Sequence, residues 1–137
     1  MTTPTKYESA KLILELYDLR REEKMRISRD WWWSFNPKTA EDFGKAAMSA
    51  DSAKLRQSIG YWEMAASLVN HGAIDEAMFT ETNGEYLFMF AKVQPFLADL
   101  RAQDPRAFVN IEKLIKRQPN WEQQLEGIKA MIAKWTK

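Results

Sequence analysis

The most restrictive feature of the chain is a long apolar run, Tyr86–Leu100 (YLFMFAKVQPFLADL), in which Lys92 is the only charge between Glu85 and Asp99. A segment that is apolar around its whole circumference must be covered on every side, so it belongs in the middle of a globule with amphipathic neighbours around it. It is too short and too interrupted to cross a bilayer. The run predicts an all-α fold: a single-domain bundle of five or six helices around a central helix at about 85–102. Pro95 removes a backbone donor and crowds the carbonyl of Ala91, which predicts a kink. The apolar pattern continues through Phe96, Leu97 and Leu100, which argues against a full break.

A chain of 137 residues suits one domain, 1–137, with a substantial core. Lys plus Arg is 20 and Asp plus Glu is 19, so no global charge draws the chain to nucleic acid or to an anionic membrane. With no cysteine, disulfides, thiolate metal sites and cysteine nucleophiles are excluded together, and a reducing, cytoplasmic setting is expected. The N-terminus (MTTPTKYESA) has no apolar signal core, and no segment approaches a membrane span, so neither secretion nor a membrane role is expected.

Upstream of the central run, Leu12, Leu16 and Leu19, widened by Ile13 and Tyr17, predict one long helix from Thr5 to about Trp33. The pattern thins over Arg20–Asp30, where Glu22 and Arg26 stand at ion-pair spacing. The helix has to end before Pro37. Its last residues are Trp31, Trp32, Trp33 and, after Ser34, Phe35. Three consecutive helical residues span about 200° of circumference, so three Trp side chains cannot share one narrow seam. Either all three rings are wedged between neighbours, or at least one is exposed and marks a contact with another protein or a second copy, since Trp is enriched at binding hot spots. Base stacking assisted by Arg26 and Arg29 is the weakest reading, because Glu22, Glu23 and Asp30 dilute that patch.

Thr39 and Asp42 form a cap signature for a short helix, Ala40 to Ser49, with Phe43 and Ala46–Met48 facing inward. Leu55, Ile59, Trp62, Ala66 and Val69 lie on one face of a helix from about Ser52 to Asn70, which Gly72 terminates. The only histidine, His71, sits in that terminus, where it serves the free carbonyls and the helix dipole. Asn83-Gly84 is the corner before the central helix, although the same dipeptide is also a hairpin signature. Asp104-Pro105 predicts a helix start, with Phe108, Ile111 and Ile115 facing inward. Asn120 with Gln123 repeats the capping pattern before a helix carrying Trp121, Leu125, Ile128, Ile132 and Trp135.

The stretch Tyr61–Arg101 resembles a bacterial family of small all-helical proteins of unknown function. The matching features are the Tyr61-Trp62-Glu63 start, the corner from Leu68-Val69 to Gly72, Ile74 and Asp75, and the aromatic helix with Pro95 and Arg101. The resemblance implies an all-α fold and no established activity, and it transfers no catalytic residue. Some members of that family carry an N-terminal membrane helix; none is read here, which counts against a membrane role.

No phosphate loop, G-x-S-x-G or H-E-x-x-H occurs in the chain, so no catalytic, cofactor or metal residue is assigned. Three functions are carried forward. The first is a non-enzymatic protein-interaction or self-associating module using the surface around Trp31, Trp32, Trp33 and Phe35. The second is a small-molecule binder or unrecognised enzyme with a pocket beside the Pro95 kink, lined by groups such as Tyr61, Glu63 and His71. The third, least favoured, is a nucleic-acid accessory protein using Lys113, Lys116 and Arg117.

Overall fold

A computed structural model describes residues 3–136. Regular structure among the described residues is entirely helical, with nine α-helices and one 3-10 turn. The count exceeds five or six chiefly because two segments that read as continuous are divided.

The first division falls inside the expected Thr5–Trp33 helix. Helix α1 (Lys6–Leu19) opens on a capping box: the Thr5 hydroxyl accepts from Glu8 N at 3.0 Å and Thr5 N donates to the Glu8 carboxylate at 2.9 Å. Helix α2 (Glu23–Ser34) starts afresh because Glu22 turns extended and its carboxylate accepts from Met25 N. Glu22 is thereby spent on the backbone, and the expected pair with Arg26 does not form. A turn of Arg20-Arg21-Glu22, the sparsest part of the apolar pattern, separates the two helices.

Helix α3 (Ala40–Ala47) begins at Thr39, whose hydroxyl accepts from Asp42 N. Phe43, Ala46 and Ala47 pack inward, but Met48 ends the helix and is exposed. Helix α4 (Ser52–Asn70) matches its predicted span, buries Leu55, Trp62, Ala66 and Val69, and stops at Gly72 in the left-handed conformation, φ 79°. It packs against α2, α3, α5 (Glu76–Thr82) and α8 (Val109–Lys116). Buried serines pin neighbouring helices. Ser28 on α2 donates to Lys54 O and pairs with Ser58 on α4, while Ser9 on α1 accepts from Asp75 N at the start of α5.

Asn83 and Gly84 form a corner between helices, so no hairpin is made. The apolar run is buried as its composition requires, but Pro95 does more than kink it. Helix α6 (Glu85–Val93) gives way to a 3-10 turn (Gln94–Phe96) and then α7 (Leu97–Gln103). Loss of the proline N–H interrupts the α-type ladder, and the tighter 3-10 geometry bridges the gap.

Asp104 and Pro105 start a turn instead of a helix, and α8 (Val109–Lys116) begins four residues later. Phe108, just before α8, has φ 59° and is the only non-glycine residue with a left-handed backbone among those described. That conformation costs a side-chain-bearing residue about 1–2 kcal/mol. Helix α9 (Trp121–Trp135) packs Leu125 and Ile128 against α6. Asn120 makes no side-chain cap for it, contrary to the expected pattern.

Candidate functional site

The aromatic residues at the end of α2 separate by burial. Trp32 is a core residue at 4% exposure, and its indole N–H donates to Leu55 O at 3.2 Å. Trp31 is half-buried and stacks on Phe35, with centroids 4.4 Å apart. Trp33 points outward at 43% exposure. It meets Phe88 of α6 at 5.2 Å and Trp135 of α9 at 6.0 Å, both edge-on, and Phe88 stacks flat on Trp135 at 5.8 Å and 7°. Trp135 is 55% exposed and Met131, one turn before it on the same side of α9, is 42% exposed. Three helices distant in sequence thus meet in one exposed face of Trp33, Phe88, Met131 and Trp135.

Two polar devices fix that face. Arg29 of α2 makes a bidentate pair with Glu85 of α6, with N–O distances from 2.9 to 3.1 Å. Lys92 of α6 donates to the carbonyls of Trp32, Trp33 and Phe35, the open C-terminal end of α2. Lys92 is buried, and burial lowers its pKa to about 8. The part of Phe88 and Trp135 in this face was not legible from the sequence, because Phe88 lies in the all-apolar run and Trp135 in the inward stripe of the last helix; Met131 lies outside that stripe. The lone charge in the apolar run was the available signal for Lys92.

Tyr61, Glu63 and His71 do not converge on one pocket: Tyr61 reaches α1, Glu63 reaches α8, and His71 faces solvent. The Tyr61 hydroxyl is buried and donates to Leu16 O, and burial pushes its pKa up to about 12. The Glu63 carboxylate accepts from Asn110 N and Ile111 N, each at 3.1 Å, and so caps α8 from across the bundle. His71 is exposed at the end of α4. A cleft of about 340 Å³ does border Pro95, but Gln94, Trp121, Leu125 and Lys129 line it. A second, more enclosed cleft of about 420 Å³ lies between α3, α4, α7 and the turn before α8. Of the three basic residues at the end of α8, Lys116 pairs with Glu112 at 3.2 Å and Arg117 with Glu76 at 2.8 Å, while Lys113 makes no ion pair among the described residues. Among the described residues, no group of His, Asp or Glu side chains that would hold a metal ion occurs, and no helix is long and apolar enough to cross a membrane.

A family described as a domain of unknown function, DUF4760, matches residues 7–118. The chain belongs to that family. No curated protein and no solved structure matches it. The DUF4760 match includes the Tyr61–Arg101 stretch and runs from α1 through α8. It contains Trp33 and Phe88 of the aromatic face, whereas Met131 and Trp135 lie on α9, beyond the match.

Proposed function

We propose that this DUF4760 protein is a non-enzymatic interaction module that self-associates through the Trp33–Phe88–Met131–Trp135 face. The observation that carries the proposal is the exposure of two Trp rings and a Met on one surface held by the Arg29–Glu85 ion pair and the Lys92 hydrogen bonds. Exposed aromatic side chains on a rigid support are what hot spots consist of, and a fixed face loses little conformational freedom on binding. A second copy suits this surface in charge as well as in apolarity. Asp30, one turn before Trp33, and Lys134, beside Trp135, make no ion pair among the described residues. In an isologous interface any contact between Asp30 of one copy and Lys134 of the other would be formed twice.

The test is the solution mass by size-exclusion chromatography with light scattering at micromolar concentration. The expected result is twice the chain mass for the wild type and the chain mass for Trp33→Ser/Trp135→Ser. Both substitutions lie on exposed rings, so the helical circular dichroism signal is expected to persist. A wild-type protein that stays monomeric up to about 100 μM, well above the range of specific interfaces of standard size, rules out the self-association.

A further inference from the structure

The cleft between α3, α4 and α7 is kept open in a way that the fold itself does not require. Gly44 in α3 and Gly60 in α4 both line it, and both sit inside helices, where glycine is costly relative to alanine. Neither has a positive φ, and a Cβ added at either position meets nothing within 4 Å. Backbone conformation and close packing, the two usual reasons for a helical glycine, are therefore both absent. Gly127 of α9 is equally uncrowded, but it stands alone, whereas Gly44 and Gly60 border one cavity of about 420 Å³.

Two independent observations bear on the same cavity. Its wall includes Phe108, held in the left-handed conformation with its ring buried edge-on to Phe43, centroids 6.4 Å apart. Backbone strain of this kind clusters at ligand sites. The rim carries Arg56, Asp99, Gln103 and Asp104, and the Asp104 carboxylate accepts from Arg106 N at 3.1 Å. Arg56 spends one donor on Ser52 and makes no ion pair; Asp99 makes neither a side-chain hydrogen bond nor an ion pair among the described residues. Opposite charges thus border one apolar hollow without neutralising each other.

We infer that this cleft binds a small zwitterion with an apolar side group, of which the apolar α-amino acids are the simplest. Gly44 and Gly60 leave room for the side group against Phe43 and Phe108. Arg56 takes the carboxylate and Asp99 the ammonium, each through charge-assisted hydrogen bonds. A concave, mainly apolar site with a few polar groups at its edge is the general form of a small-ligand pocket.

The test is a titration of the ¹⁵N-labelled full chain with L-phenylalanine, followed by amide shifts, alongside phenethylamine and 3-phenylpropionate, which each lack one charge. Expected are saturable shifts centred on Gly44 and Gly60 with phenylalanine, and binding about tenfold weaker or worse for each analogue, the loss of one good charged contact. Gly44→Leu fills the cleft and is expected to abolish the shifts while melting no lower than the wild type. If that variant melts lower, Arg56→Gln and Asp99→Asn on the exposed rim replace it, each weakening phenylalanine by about tenfold. The inference is overturned by the absence of saturable shifts at tens of millimolar, by equal binding of the three compounds, or by unchanged binding in a well-folded Gly44→Leu.

Discussion

At the scale of single residues, Lys92 best shows how burial and hydrogen bonding divide the work. Its ammonium is desolvated, yet three backbone carbonyls at the end of α2 accept from it. No carboxylate compensates the charge, and burial lowers the pKa from 10.5 to about 8. In the unfolded chain the amine holds its proton to about pH 10.5, in the folded chain only to about pH 8. Between those values the unfolded state binds more protons, so stability from this group rises with pH across that window and is flat on either side. Tyr61 and Tyr86 act in the opposite sense at higher pH. Burial pushes both up to about 12, so their contribution is complete below pH 10 and is lost as pH rises towards 12. Lys92→Met isolates the lysine. Urea unfolding at pH 7 and pH 10 is expected to show the wild type gaining on the variant at the higher pH; a pH-independent difference counts against a depressed lysine. The variant also leaves carbonyls unpaired, which costs about 1–3 kcal/mol where they stay buried.

At the scale of elements, the sequence was most legible where one helix answers to one apolar stripe. α4 was readable from end to end, because Leu55, Trp62, Ala66 and Val69 keep a single face and Gly72 supplies the left-handed residue that closes it. Legibility failed where a side chain from elsewhere decides a boundary. α8 has no side-chain cap of its own and begins at Val109 because Glu63, 47 residues earlier than Asn110, receives its first free N–H groups. Local chemistry favoured Asp104-Pro105, and a long-range contact overrode it. The same limit applies to the surface. The Trp31–Phe35 cluster was visible in the sequence, but which of its rings faces outward depends on α6 and α9, and the Phe88 and Trp135 side chains that join Trp33 were indistinguishable from core. Glu63→Ala is accordingly expected to cost about 1–2 kcal/mol, the upper range for loss of a helix cap, measured as a shift in the urea midpoint. The control is Glu126→Ala on the exposed side of α9, where the only partner is Lys129 at 3.4 Å. Equal effects from the two substitutions would falsify the capping role.

At the scale of the molecule, a near-neutral charge and an apolar face make one kind of association expected. Attachment driven by apolar burial is insensitive to salt or slightly strengthened by it, whereas contacts with a polyanion weaken steeply as salt rises. The dimer mass is therefore expected to persist from about 0.05 to 1 M NaCl, well past the point where charges are screened. Dissociation at the high-salt end would instead point to Asp30 and Lys134 as the main contacts. The position of α9 bears on the same face. It supplies Met131 and Trp135 from beyond the matched residues 7–118, while Trp33 and Phe88 come from within them. The aromatic face is therefore composite, and the angle at which α9 crosses α6 sets how the four side chains are presented.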